Sequence, residues 1–319
     1  DDMYKIYWED TKMEFSATAG TAGGSLKALF EVRDGDNLEN FKGKVTKADS
    51  YSLTVENISI DNIKSLNLPD KDGKITVNNI SYSYDSWEAQ VDAQGNIKSV
   101  TFNLSKDKAI ADPEKTVAEG YLLNAGSAIN ARGIPYYMTQ LNEFVRNFSE
   151  MFNQIESKGQ NLNGDTPPTF FEAITNTAKV YDFSESEAYS KLPDGQTATI
   201  NSSSNTYYRM TAANFSVNKD VMNDVSLFAT STDYVKTDSC DIVDELKKLQ
   251  SEKTVYRGDK AESFLETIIS NVSVDTEKAE TYNKLYSNLE QTIANQRTSV
   301  SGVDEDEEAL NLVKFQYSY

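Results

Sequence analysis

A regular apolar repeat in the middle of the chain constrains the fold more than any other feature. Large apolar residues alternate at spacings of four and three over residues 134–155, namely Ile134, Met138, Leu141, Val145, Phe148, Phe152 and Ile155. Pro135 stands where a first helical turn tolerates proline, and Gly159 follows as a stop signal. The repeat predicts one long amphipathic helix with a seam typical of a helical bundle or coiled coil. We expect this seam to be an internal core.

Residues 38–133 have a different pattern, with a period of two residues. Apolar side chains alternate with polar ones in three stretches: Tyr51, Leu53 and Val55; Ile80, Tyr82 and Tyr84; Val100, Phe102 and Leu104. This alternation indicates half-buried strands, and Asp72-Gly73 and Gln94-Gly95-Asn96 are turn signals between them. We predict a small antiparallel β domain whose exit segment, 105–133, is poorly patterned. Weak alternation at 3–8 and 12–18 predicts a further hairpin.

Further helices are predicted on both sides of this region. Ser25 is a plausible N-cap for a helix that reaches Arg33. Asp241–Leu249 reads as a short helix, and a long helix runs from about Lys260 to Gln296. Its predicted face consists of Leu265, Ile268, Val272, Ala279, Tyr282, Leu285, Leu289 and Ile293.

The order of these segments predicts an α+β multidomain fold, with a discontinuous α-helical bundle core and inserted antiparallel β-rich domains. The helical core would combine residues 1–37, 134–160 and 213–319. Residues 38–133 would form the inserted β domain and 161–212 a small mixed domain of strands and loops. The ends of the insert, near Leu38 and Gly133, should then lie close together, and the central helix should pack on the long one.

Composition excludes several classes of function. The net charge is −19, so the basic footprint of a nucleic-acid-binding protein is missing and an anionic membrane surface would repel the chain. Cys240 is the single cysteine and there is no histidine, which removes internal disulfides, the commonest general base and the commonest transition-metal ligand. The missing residue types exclude Ser-His-Asp, Cys-His and His-zinc sites, and the charge predicts neither nucleic acid nor membrane as a partner.

The candidate sites have simpler structural explanations. Asp70-Lys71-Asp72-Gly73 resembles part of a calcium loop but lacks the later ligands, so tight-turn chemistry explains it better. The acidic run Glu305–Glu308 suits the first turn of a helix. Cys240 beside Asp241 opens a helix, but no base accompanies it. We therefore predict no catalytic, cofactor-binding or metal-binding residue.

The last part of the chain predicts a helix, a sharp break and a second helix. Gly302 supplies the break, and Asp304 is placed to cap the second helix with Glu307 completing a capping box. Apolar side chains then recur at helical spacing, at Ala309, Leu310, Val313 and Tyr317.

Three segments together resemble the flagellar hook-associated protein 1 family, the hook–filament junction proteins of bacteria. Ser299-Val300-Ser301-Gly302-Val303 followed by Asp306-Glu307-Glu308-Ala309 and Asn311-Leu312 is very close to the C-terminal signature of that family. The segment from Gly23 to Arg33 looks like its internal glycine-led helix, and Ile134–Asn163 looks like the next helix of its core. Glu305 departs from the pattern, because the family usually has an apolar residue there.

The resemblance implies a non-catalytic structural role in the extracellular flagellum, joining hook to filament. It implies export through the flagellar type III channel, and motility and self-assembly of the full-length protein. The expected partners are the hook protein, hook-associated protein 3 and other copies of the chain. The resemblance also implies missing terminal regions that drive assembly, with an export chaperone at the C-terminal one.

The alternative interpretation is a secreted or surface-attached β-rich binding module, such as an adhesin or a carbohydrate binder. Its platform would consist of the aromatic residues Tyr82, Tyr84 and Trp87, if they were exposed. We expect these side chains to pack the β core instead.

Overall fold

The computed structural model describes residues 7, 9–12, 23–70, 72–106, 109–113, 117, 119–175, 177–236, 238–252, 254–302 and 304–319. Apart from Tyr7 and Lys12, the hairpin predicted at 3–8 and 12–18 lies outside these residues. The chain divides into two compact units, Asp1–Glu262 and Ser263–Tyr319.

Strands and helices alternate irregularly along the chain. The strands are β1 (Phe41–Asp49), β2 (Ser52–Glu56), β3 (Gly73–Val77), β4 (Ile80–Val91), β5 (Ile97–Leu104), β6 (Leu122–Ala125), β7 (Phe171–Ala173), β8 (Ala198–Asn201), β9 (Phe215–Val217), β10 (Thr254–Tyr256) and β11 (Asp259–Lys260). The α-helices are α1 (Gly24–Asp34), α2 (Ile134–Glu156), α3 (Ser184–Ser190), α4 (Lys219–Asn223), α5 (Asp241–Ser251), α6 (Ala261–Ser301) and α7 (Glu305–Tyr317). Short 3₁₀ helices occur at Ile63–Ser65, Tyr207–Arg209 and Val225–Leu227.

The first six strands form a closed antiparallel β-barrel. Their order around the barrel is β3-β6-β1-β2-β5-β4, and pairing of β4 with β3 closes the ring. β4 is long enough to pair with β3 through its first half and with β8 through its second half. Closure removes the free sheet edges that an open sheet would expose.

A β-bulge in β4 places all of its large aromatic side chains inside the barrel. Strand residues point alternately to the two faces of a sheet, so Tyr84 and Trp87 should face opposite sides. The register of β4 against β5 shifts between Tyr84 and Ser86, which reverses the alternation. Tyr82, Tyr84 and Trp87 are consequently all buried. Gly73 leaves the space for Tyr84, because a Cβ there would lie 2.1 Å from the tyrosine ring.

The fold class predicted from the sequence is wrong. The molecule contains a closed six-stranded antiparallel barrel with a few helices, not a helical bundle core carrying inserted β domains. The barrel interior forms a large apolar core, and residues far downstream complete it: Tyr189, Ile200 and Tyr208. The domain boundaries predicted from the sequence stay a prediction, although β8 from the 161–212 segment joins the sheet of the barrel.

The helix α2 explains why the bundle prediction failed. Of the seven seam residues only Ile155 is buried, and Ile134 is exposed. The half-buried seam side chains contact short strands and α5 within the first unit, where Phe148 lies 5.6 Å from Phe171 between ring centroids. A regular apolar stripe specifies a helix but does not specify whether its partner is another helix.

The two ends of the barrel region lie side by side, as expected. Asp36 pairs with Arg132, and the Gly133 N–H donates to the Gly35 carbonyl at 3.0 Å. Both glycines allow the end of α1 to approach the start of α2, since a Cβ on Gly133 would lie 2.4 Å from the Glu31 carbonyl oxygen.

Candidate functional site

The buried face of α2 is polar, and it carries two ion pairs that join it to other segments of the first unit. Its buried polar residues recur at helical spacing: Gln140, Glu143, Arg146, Ser149, Glu150, Asn153 and Glu156. Glu143 accepts hydrogen bonds from Arg257, whose guanidinium also reaches Glu39. Burial disfavours the charge of Arg257, but the hydrogen bonds to Glu143 and Glu39 outweigh burial and raise its pKa.

The C-terminal half of α2 contacts other segments of the first unit. Lys64 forms an ion pair with Glu150 at 2.7 Å. Asn153 acts as a strand partner for Phe171, since its side-chain amide donates to the Phe171 carbonyl and accepts from the Phe171 N–H, both at 2.9 Å. These contacts hold β7 and the 3₁₀ helix Ile63–Ser65 against the same helix.

Glu156 is the most strongly perturbed carboxylate on this face. One oxygen accepts the Ala229 N–H at 2.6 Å, and the other has no hydrogen-bond partner among the described residues. Burial raises the pKa of Glu156 to about 7, while the hydrogen bond from Ala229 opposes the rise. The site therefore takes up a proton near neutral pH.

The second unit presents exposed apolar side chains on its helices. On α7, Leu310, Phe315 and Tyr317 are 60%, 76% and 88% exposed. On α6, at least half of each large side chain is exposed along one stretch: Tyr282, Leu285, Tyr286, Leu289 and Ile293. We call these residues of α6 and α7 the apolar helix surface. Exposed large apolar side chains that recur along one helix make a candidate binding surface.

The break at Gly302 and the cap at Asp304 lie where the sequence predicts them. The Gly302 N–H donates to the Thr298 carbonyl at 2.6 Å, and a Cβ on Gly302 would lie 2.3 Å from that oxygen. Asp304 caps α7 by accepting from the N–H groups of Asp306 and Glu307, at 3.0 and 3.3 Å. The turn is thus specified by its sequence, and the acidic run Glu305–Glu308 occupies the first turn of α7.

The other candidate residues from the sequence lie in separate parts of the structure and form no common site. Tyr82, Tyr84 and Trp87 are buried in the barrel, so the aromatic platform of the alternative interpretation is not accessible. Cys240 is an exposed thiol at the start of α5. Asp72 has a positive φ of 58° immediately before β3, which agrees with a tight turn, while Asp70 lines a cavity.

No group of three or more His, Cys, Asp or Glu side chains among the described residues is arranged to hold a metal ion. Within the described part of the chain, no helix has the length and apolar character needed to span a bilayer.

The comparisons with known proteins identify no relative. No protein-family model matches the chain, and no curated protein matches it.

The sequence analysis missed the polar face of α2 and a cavity beside it that Asp70, Arg146 and Arg209 line. The signal was present, because Gln140, Glu143, Arg146, Glu150 and Asn153 recur at spacings of three and four in the same segment as the apolar seam. A helix with two patterned faces indicates partners on both sides.

Proposed function

We propose that the chain is a non-catalytic structural subunit of the bacterial flagellum, located where the hook joins the filament. The observation that carries the proposal is the C-terminal segment from Ser299 to Leu312, whose sequence resembles that of hook-associated protein 1. Its turn at Gly302 and its cap at Asp304 give that motif a defined helix–turn–helix geometry.

The apolar helix surface supports a role in assembly. A subunit that must associate with neighbours keeps apolar side chains available on the surfaces that are covered in the assembled state. The acidic remainder of the surface keeps the free subunit soluble before assembly, because like charges on separate copies repel.

The partners and the location follow from the resemblance alone. The hook protein would lie on one side and hook-associated protein 3 on the other, with other copies of the chain alongside, all outside the cell. The protein would leave the cell through the flagellar type III channel. Unfolded passage through a channel suits a chain with a single cysteine, since no internal disulfide has to form or break.

Immunogold electron microscopy tests the location. Antibodies raised against residues 23–262 should label the boundary between hook and filament on whole cells, and a strain lacking the gene serves as the control. Label spread over the cell surface, or confined to the cytoplasm, would contradict the proposal.

A further inference from the structure

A cavity of about 390 Å³ lies in the first unit beside α2. Two arginines and one aspartate line it: Arg146 from α2, Arg209 from the 3₁₀ helix Tyr207–Arg209, and Asp70 from the segment before β3. Its volume lies in the range of small-ligand sites.

Arg146 is a buried cation that forms no ion pair with a carboxylate among the described residues. Its side chain is 2% exposed, and it donates to the carbonyl oxygens of Met210, Lys64 and Leu66 at 2.8, 2.9 and 2.6 Å. No carboxylate of the described residues lies within 4.0 Å of it, and its Nη2 makes no hydrogen bond to those residues. Burial lowers the pKa of Arg146 to about 10, which still leaves it charged at neutral pH.

Arg209 adds a second cation held in a fixed orientation. Its guanidinium lies 4.0 Å from the centroid of the Tyr181 ring, and its Nη1 donates to the Ser203 carbonyl at 3.1 Å. A stacked guanidinium is preorganised for planar, bidentate contact with a carboxylate.

Asp70 brings the opposite charge to the same cavity without pairing with either arginine. No ion pair within 4.0 Å joins it to a described cation. Burial raises the pKa of the Asp70 carboxyl, while the charges of Arg209 and Arg146 lower it, so the three groups share one electrostatic environment. Three residues with hydroxyl side chains, Tyr181, Ser202 and Thr211, also line the cavity.

We propose that this cavity binds a small amino carboxylate, with its carboxylate on Arg146 and Arg209 and its ammonium group facing Asp70. Three charged groups that face one cavity without pairing with each other leave a place for a ligand of complementary charge. The net charge of −19 opposes entry of a simple anion but not of a zwitterion, which has no net charge. The inference is independent of the flagellar role.

The test is calorimetric titration of the chain at fixed ionic strength. The probes are glycine, β-alanine and γ-aminobutyrate, which separate the two charged groups by increasing distances, together with acetate and sulfate. At least one amino carboxylate should bind ten or more times as tightly as acetate. Absence of saturable binding by every amino carboxylate would overturn the proposal.

Three variants separate the roles of the charged groups. Arg209→Gln should weaken binding of the best amino carboxylate at least tenfold, and Asp70→Asn should remove its advantage over acetate. Arg33→Gln is the matched control, because this exposed arginine pairs with Asp34 on α1, and it should change nothing. If acetate binds the native chain as tightly as the amino carboxylates, and Asp70→Asn strengthens both, the cavity is a simple anion site and the proposal fails.

A measurement on the native chain avoids any effect of the variants on folding. The chain has six arginines, so their side-chain Nε–H signals can be followed individually by NMR. The best amino carboxylate should shift the signals of Arg146 and Arg209 and leave that of Arg33 in place. Shifts confined to other arginines, or shifts produced by sulfate alone, would overturn the assignment.

Discussion

Buried charge on α2 ties the stability of the first unit to pH at the scale of single residues. Glu156 has a native pKa of about 7, above the ordinary glutamate value of 4.5. The native state keeps a proton that the unfolded chain releases between these values, so stability falls as pH rises through this window. The loss in free energy of unfolding is complete above pH 7, and there is no loss below about pH 4.5.

Replacement of Glu156 by glutamine should remove this pH dependence. Relative to the native chain, the variant should gain about 2 kcal/mol in free energy of unfolding between pH 5 and pH 8. Urea unfolding at the two pH values measures the difference. Glu187→Gln is the control, because that side chain is 75% exposed and should show no such gain. Equal behaviour of the two variants would contradict the burial argument for Glu156.

The glycine contact between α1 and α2 gives a second prediction at this scale. In Gly133→Ala the new Cβ would meet the carbonyl oxygens of Glu31 and Val32 at 2.4 and 2.6 Å, and backbone cannot move aside as a side chain can. We expect a loss of about 1–3 kcal/mol in the free energy of unfolding. Gly23→Ala, with nothing within 4 Å of the new Cβ, should be close to neutral. A neutral result for both would show that the two helix ends are not in contact.

At the scale of elements, the apolar seam of α2 joins that helix to β7 and α5. Phe148 packs against Phe144, Phe152 and Phe171, with centroid distances of 5.6, 6.0 and 5.6 Å. Phe148→Ala should cost about 3 kcal/mol, since it removes a large ring from a cluster that cannot close the space completely. Thermal and urea unfolding measure this, with the exposed Phe315→Ala as a control. Equal stability of the two variants would contradict the packing of the seam.

Local patterns predicted the elements well. The helix at Ile134–Glu156, the strands around Leu53 and Phe102, the turn at Gly95 and the cap at Asp304 all follow from side-chain periodicity or from turn and cap chemistry. The predicted N-cap of α1 is wrong. The helix begins at Gly24 with no side-chain cap, so Ser25 lies inside it. These features depend on neighbours in the sequence, which is why they can be recognised there.

The arrangement of the elements could not be predicted in the same way. Closure of the barrel depends on pairing of β3 with β6 and β4, and the bulge in β4 decides which of its aromatics are buried. The cavity brings Asp70 beside Arg146 and Arg209 through contacts between residues far apart in the sequence, such as that of Tyr208 with Leu68. Side-chain periodicity and turn or cap signals do not contain this arrangement of the elements, because it arises only from long-range packing.

At the scale of the whole molecule, the barrel is the part on which the rest of the first unit is built. Deletion of residues 40–131 would expose Tyr189, Ile200 and Tyr208, which complete the barrel core, and would remove Lys64, the ionic partner of Glu150. We expect the deletion variant, even with a short glycine–serine bridge, to lose its cooperative urea transition. A cooperative transition of native steepness in the remaining residues would show that the barrel is a separable insertion.

The proposed role in flagellar assembly is most directly tested by counting hooks that carry filaments. We expect electron micrographs of cells lacking the gene for this chain to show hooks without filaments, and the native gene to restore the filaments. Leu310 and Phe315 belong to the apolar helix surface, and their joint replacement by serine should fail to restore filaments although the protein is made and folded. Normal filaments on cells that lack the gene would contradict the account.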